Sequence, residues 1–444
     1  MDDSSRGCPV RKLTPPGEAT SGPDVERVHG ADGEPVVVVR SFDLAREILR
    51  DEAGYHQAGF GADNVRHQTR MRPPILYLEG PDHRTQRRAS APFFTPKAIE
   101  AYRPMMVDLA DRLAAEVRPD RATDLAALAM RMAVEVVGRV VGLTHSSMSG
   151  MTRRLNTFFE GDPLSAHVSW RTLPRLVRTH TATARFYWLD VKPAIRAHRK
   201  DPRDDLVSAT LEQGFSDLEI LTEAITYGAA GMVTTRELIS VAAWHLLEQP
   251  DLLARFRAGD SESRTALLHE TLRLEPVVGR LVRRTTRPVR LTGRDSAVDV
   301  AEGELVDIHV RAADADAAVV GAEPLQLCPG RELPRGVPAA VMGFGDGHHK
   351  CPGGPIAIME TEIFLDALFR RDIVADGPPR VRWNPVSQGY DLDRFMLRLG
   401  SGRPASDGRR QAAVRSRTWR LIRLSIATIP RNRSGDTASP SPNR

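Results

Sequence analysis

This sequence predicts a mainly α-helical protein with a minor β region segregated from the helices, organised as one large domain. Three observations lead there. Across residues 83–257 most long segments carry apolar residues at helical spacing. Short β-branched runs fall outside that stretch, at 36–39 before it and at 289–291 and 305–310 after it. No internal repeat divides the 444 residues.

Taken in order, residues 1–34 read as a loosely ordered lead-in. Its first part, 1–22, is Pro/Gly/Ser-rich and lacks the basic start and apolar run of a secretory signal. The main domain spans 35–403. It opens with a strand at 36–39 and a helix at 42–50. Helices follow at 99–117, 125–141 and 218–247, the last stopped by Pro250. Two more, 253–257 and 265–274, come next, and the second ends before Pro276. After the strands at 289–291 and 305–310, residues 312–341 are Ala/Gly/Pro-rich and irregular. A helix at 355–369 and strands near 381–383 and 396–399 close the domain.

The composition, 41% hydrophobic and 27% charged, is that of a globular protein. No uninterrupted apolar run of about 18 residues exists, so no transmembrane helix is expected. Three cysteines (Cys8, Cys328 and Cys351) make no disulfide framework, which points to a reducing, cytoplasmic setting. The net charge of +5 is misleading. Residues 401–444 hold ten Arg and two Asp; the remainder has 52 Lys+Arg against 55 Asp+Glu, a net of −3. The main domain is therefore no nucleic-acid binder by charge. The tail, 404–444, reads either as a disordered appendage or, around 415–429, as a basic amphipathic helix suited to an anionic surface.

The chemistry concentrates in Phe344-Gly345-Asp346-Gly347-His348-His349-Lys350-Cys351-Pro352-Gly353. Glycines on either side of Asp346 allow a tight turn close to a flat ligand. Pro352 suits a first helical position, which would put the sulfur at a helix N-terminus, where N–H groups favour a thiolate. Zinc is not expected, because no second Cys sits at ligand spacing and His348 and His349 alone make no site.

This loop resembles that of the cytochrome P450 family, F-G-x-G-x-H-x-C-x-G, at all six fixed positions: Phe344, Gly345, Gly347, His349, Cys351 and Gly353. Further segments match in order. Glu270-Thr271-Leu272-Arg273 is similar to E-x-x-R, whose i, i+3 pair shares a helix face. Residues 230–235, with Gly231 and Thr234, resemble the oxygen-side helix motif A-G-x-(D/E)-T-T at all but one position. His83 and Arg87 fit H-x-x-x-R, extended by Phe93, Phe94, Thr95 and Pro96, and Arg283 falls where the family places another basic residue.

The resemblance, over roughly 35–400, implies a haem-thiolate monooxygenase carrying haem b, with Cys351 on the iron and Phe344 and Gly353 beside the sulfur. It implies that His83, Arg87, Arg283 and His349 face the propionates, that Thr234 helps deliver protons, and that Glu270 and Arg273 brace the segment leading to Cys351. It also implies electrons from a ferredoxin and ferredoxin reductase, attracted by Lys350 with Arg331 and Arg335, and an organic substrate, by analogy one of secondary metabolism. Substrate would be met in about 56–82, 155–190, 277–282 and 387–394, with His56, Phe60, His67, Phe158, Phe159 and Trp170 as candidates.

Two departures qualify the reaction. Val233 stands where the family carries an acid, which leaves room for peroxide-driven chemistry or oxidative coupling. Gln326 stands where the family carries a meander arginine, with Arg331 or Arg335 as substitutes. A non-catalytic helper of the same fold is the third reading; Cys351 and the propionate set argue against it.

Overall fold

The computed structural model describes residues 9–15, 18, 21–30, 33–62, 65, 71–159 and 173–400. Residues Met1–Leu399 form one compact unit. The tail at 404–444, Cys8, His67 and Trp170 lie outside the described residues.

The described helices are α1 (Phe42–Arg50), α2 (Gly80–Ser90), α3 (Pro96–Ala115), α4 (Leu125–Val141), α5 (Met148–Phe159), α6 (Leu173–Phe186), α7 (Lys192–His198), α8 (Leu206–Glu212), α9 (Asp217–Gly228), α10 (Thr234–Glu248), α11 (Pro250–Ala258), α12 (Ser261–Leu274), α13 (Val310–Ala313), α14 (Ala317–Val320) and α15 (Gly354–Phe369). Helix α4 shows why the apolar period gives a helix here. Asp124 accepts the Ala126 N–H at 3.2 Å to cap its start, and Gly142 ends it at φ 97°. Between those caps, Leu128, Met132 and Val136 recur at four-residue spacing and are buried.

The helix expected at 218–247 is interrupted. Its start is set by a capping box between Ser216 and Glu219. A π-turn, Ala229–Val233, then separates α9 from α10, the kind of insertion that local sequence period does not announce. Pro250 does not merely stop α10; it is taken up in the first turn of α11.

The principal sheet has the order β1-β2-β8-β5-β3, built from β1 (Val25–His29), β2 (Pro35–Val39), β3 (Tyr55–Gln57), β5 (Arg280–Thr285) and β8 (Leu305–His309). Strands β2 and β8 run parallel, and the other neighbours are antiparallel. Small antiparallel sheets are made by β6 (Val289–Thr292) with β7 (Ala297–Val300), and by β10 (Arg380–Asn384) with β11 (Gly389–Asp393). A third joins β4 (Thr123–Asp124), β9 (Ile373–Ala375) and β12 (Met396–Leu399).

Two apolar cores result. One packs α1 against the principal sheet through Phe42, Ile48, Val37 and Ile308. The larger one is helical and includes Met132, Leu238, Leu268 and Phe364. The residues leading to Cys351 pass from one to the other, since Val341 and Met342 belong to the sheet core while Ile356 belongs to the helical core.

The lead-in is more ordered than expected. Val25–His29 pairs with β2. Val10 bridges to Gln326, and Leu327 N–H donates to the Pro9 carbonyl at 2.7 Å. Leu13 is buried, and its N–H donates to the buried Glu275 carboxylate at 3.1 Å. The sequence hid the docking of residues 9–13 because its partners lie about 260 to 320 residues away.

Glu360 in α15 is 1% exposed, and burial pushes its carboxyl up to about 8. Its ordinary value is 4.5, so the folded protein keeps a proton that the unfolded chain releases between pH 4.5 and about 8. Across that window this group alone lowers stability by about 1.4 kcal/mol per pH unit as pH rises. Glu360→Gln is expected to remove this slope, measured as a smaller loss of urea stability between pH 5 and pH 8.

Candidate active site

The loop before α15 is pinned from both sides. Gly345 and Gly347 adopt φ of 67° and 68°, a region in which glycine carries no steric cost. At Gly347 a Cβ would stand 1.8 Å from the Leu49 carbonyl oxygen, so no larger residue fits. Asp346, between them, pairs with Arg46 at 3.1 Å and Arg50 at 3.0 Å, both on α1. The Cys351 N–H donates to the Phe344 carbonyl at 3.0 Å and closes the loop.

Pro352 is not the first helical residue. Gly353 is the N-cap of α15, and Pro355 lies in its first turn. The backbone N–H groups of both Gly353 and Gly354 reach the Cys351 sulfur, so Gly354 joins the set. Its own Cβ position lies 3.2 Å from the Phe344 ring. Cys351 is solvent-reachable and lines a cavity of about 360 Å³ with Phe344, Gly354, Ile358 and Met359. Protein crowds the sulfur nonetheless, and that burial pushes its thiol up against the pull of the Gly353 N–H and the Arg87 charge. Coordination to a metal cation is what makes such a thiol a thiolate at neutral pH.

The basic residues singled out from the sequence gather around this loop. Helix α2 places His83 and Arg87 one turn apart. Arg87, half-buried, donates to the Lys350 carbonyl. The His83 ring lies 4.3 Å from that of His349 and 5.6 Å from that of His348. Burial pulls His83 down to about 3, helped by the neighbouring histidines. Arg283 is 2% exposed on β5, donates to Gln57 of the facing strand, and is drawn down to about 10 by burial.

Glu79 was missed. Burial opposes its charge, but His348, His349 and the Gln57 N–H together hold its carboxyl well below the usual range. The expectation that His348 and His349 alone make no metal site left out this carboxylate. Ligand atoms of Glu79, His348 and His349 lie within 4.8 Å of one another. No local signal joins residues 269 positions apart in sequence.

The Glu270–Arg273 pair is fully internal. Arg273 is 0% exposed and grips Glu270 through two bonds of 2.7 and 2.8 Å. Its remaining donors reach the carbonyls of Asp314 and Pro324, both at 2.8 Å, and of Gln326 at 3.0 Å. Arg331 completes the network with a 3.1 Å bond to Glu270. The Gln326 side chain instead bonds Glu323, away from the pair. Arg331 is thereby withdrawn from the surface charges expected to attract a redox partner; Lys350 and Arg335 remain exposed.

In the α9–α10 helix system, Thr234 donates to the Ala230 carbonyl at 2.5 Å across the π-turn. At Gly231 a Cβ would stand 2.8 Å from Val137 of α4. Gly231 thus lets this helix pack closely against α4. Val233 packs against the helical core. Two buried acids share this helix system, Glu223 and Glu237, and burial pushes each up to about 7. Glu237 accepts the Leu392 N–H at 2.7 Å, and Glu223 accepts from Ile75 N–H at 2.9 Å and Gln86 at 3.0 Å. Of the substrate candidates, His56 is exposed on β3, and the Phe60 carbonyl accepts the Tyr77 hydroxyl at 3.0 Å.

A family profile described as cytochrome P450 matches residues 29–161 and 264–373. The chain belongs to the cytochrome P450 family. It is 30% identical over 382 residues to pentalenic acid synthase of Streptomyces avermitilis, covering 82% of this chain and 88% of that one. It is 30% identical over 307 residues to cyclomarin C epoxidase CymV of Salinispora arenicola, covering 67% and 73%. Its fold matches the crystal structure of cytochrome P450 MoxA from Nonomuraea recticatena, with a TM-score of 0.71 at 21% identity over 90% of this chain and 99% of that one. The protein is accordingly a P450 oxidoreductase of the monooxygenase class, with a haem-iron cofactor. No described helix is long and apolar enough to cross a membrane.

The residues fit that cofactor. One sulfur receives two backbone N–H groups, and His83 Nδ1 and Arg283 Nε are buried without hydrogen-bond partners. Unpaired buried donors of this kind suit a dianionic ligand edge. Removing the charge that completes the Glu270 network is expected to be costly. Arg331→Gln should lower urea stability by about 3 kcal/mol by leaving Glu270 under-paired. Gln326→Ala should stay within about 0.5 kcal/mol, since only a surface bond is lost.

Proposed function

We propose that this P450 oxidises, typically hydroxylates, a small organic molecule of secondary metabolism, with haem b bound through Cys351 and electrons from a ferredoxin and its reductase. The observation that carries this reading is the Cys351 sulfur facing the Gly353 and Gly354 N–H groups in a loop pinned to α1. Haem bound there supplies the redox chemistry that activates dioxygen. His83, Arg87, Arg283 and His349 would hold the propionates. Phe344 packs behind the sulfur, and Glu270 with Arg273 keeps the meander in register. The relatives named above are a synthase of pentalenic acid and an epoxidase of cyclomarin C, which supports a substrate from secondary metabolism; three cysteines without a disulfide framework support a cytoplasmic setting.

The chain's own part in the reaction is proton handling and positioning. Thr234 Oγ1 holds its proton on the Ala230 carbonyl and can release it when that bond turns over. Val233 contributes no proton, and Glu237 is engaged by Leu392 and Arg236. Proton supply therefore rests on Thr234 and on water. This observation favours a second reading, in which peroxide serves as the oxidant or the reaction is an oxidative coupling, because such a route asks less of a relay. The ferredoxin reading draws support from the cavity beside Cys351, which joins Lys350 and Arg103 to apolar Ile358 and Met359.

Purified protein is expected to show a haem absorption band and a thiolate-type carbon monoxide difference spectrum, both abolished as a thiolate signature in Cys351→Ala. Product formation with ferredoxin, reductase and a reduced nicotinamide should exceed that with hydrogen peroxide at least tenfold, a margin of about 1.4 kcal/mol in activation free energy. The reverse ratio would establish the peroxide reading, and a protein that takes up no haem would defeat both.

A further inference from the structure

Helix α6, the π-turn Tyr187–Val191 and α7 follow one another without a break from Leu173 to His198. At about 1.5 Å per residue they make a rod roughly 39 Å long. Its solvent side carries apolar residues that nothing among the described residues covers. Val177 and Trp188 are each 58% exposed, and Leu189 is 47% exposed. Val177 and Trp188 lie eleven residues apart, three helical turns, and so share a face. Arg185 and Arg196 are exposed along the same rod, and the Lys192 ammonium stands 3.8 Å from the centre of the Trp188 ring.

The charge on this rod is one-sided. Residues 173–199 contain six Lys and Arg and a single acid, Asp190. Asp190 is 0% exposed and is held by Arg154 at 2.5 Å and Ser146 at 2.5 Å. Nothing negative from within the rod therefore faces solvent. Asp217, from α9, neutralises only Arg199 at its far end.

We infer that this rod is a docking surface for an anionic lipid bilayer, which Trp188 and Leu189 enter at headgroup depth while Arg185, Lys192 and Arg196 meet lipid phosphates. Three features select lipid over an acidic protein. The exposed apolar side chains are few and lie along a single helical rod. Three such side chains bury far less than the roughly 800 Å² per partner that a stable protein interface needs. A Trp flanked by Lys and Arg is the pairing that settles at a membrane interface, with the ring in the headgroups and the cations reaching out of it. The surface lies within the unit Met1–Leu399.

The test uses full-length, haem-loaded protein floated with vesicles of phosphatidylglycerol and phosphatidylcholine, and with vesicles of phosphatidylcholine alone. Flotation is expected with the first and not the second, and salt should reverse it. Each cation on the face should contribute about fivefold, so Lys192→Gln with Arg196→Gln should weaken partitioning roughly 25-fold. Trp188→Ser with Leu189→Ser should weaken it comparably, with the haem spectrum unchanged as the check on folding. Brominated lipid should quench fluorescence in the parent and lose that increment in Trp188→Phe. Failure of the parent to float overturns the inference. So does flotation that both double variants retain, because the binding would then lie in the tail. Binding of the parent to soluble polyglutamate, but not to vesicles, would overturn it in favour of an acidic protein partner.

Discussion

Arg273 is fully buried, and much of the fold is arranged to give its charge somewhere to go. The guanidinium grips Glu270 and spends its remaining donors on carbonyls of the irregular segment between the sheet and Cys351. A buried arginine without these partners would carry a desolvation penalty of several kcal/mol. The meander therefore takes the one path that brings its carbonyls inward. Arg331 extends the logic by binding Glu270 and four further carbonyls, those of Val320, Ala322, Glu323 and Gln326. An otherwise irregular stretch is thus held in one conformation, and Phe344 and Cys351 follow from where it ends.

A second constraint acts on the other side of the loop. Asp346 is tied to two arginines of α1, and Gly347 lies against the backbone of that helix. The loop is fixed to the sheet core through α1 and to the helical core through α15. Basic side chains converge where the two cores meet: His83 and Arg87 from α2, Arg283 from β5, and His349 from the loop itself. Their burial pulls His83, Arg87, Arg283 and His349 down together. Such a concentration of desolvated donors is stable only opposite an anion, and Glu79 is the one described carboxylate set among them. Haem propionates would meet the same electrostatic demand.

The α9–α10 helix system is governed by different forces. Gly231 permits close contact with Val137, the π-turn shifts the helix register, and Thr234 bonds across that turn. Val233 adds apolar packing where an acid would have added a proton source. The two nearby acids are buried and have backbone N–H partners, so they are part of the scaffold. Fixed charge is therefore concentrated around the cysteine loop, while the α9–α10 helix system is mainly apolar and self-bonded.

Most of the helices, the cysteine loop and the order of the motifs could be read directly from the sequence. Each of these depends on neighbours a few residues apart: apolar period in α4, glycines bracketing Asp346, the i, i+3 spacing of Glu270 and Arg273. Interactions between distant residues could not be read that way. The docking of residues 9–13 on the meander, the choice of Arg331 over Gln326 and Arg335, and the entry of Glu79 into the histidine cluster all join residues far apart in the chain. The break at Ala229–Val233 and the true start of α15 at Gly354 also needed tertiary context, because packing and sulfur-directed N–H groups decide them, not propensity. The sequence by itself determined membership of the P450 family, since its cysteine loop is a local object. Only the tertiary structure decided which charges stay buried to support it and which remain at the surface, because desolvation depends on what the whole chain folds around each group.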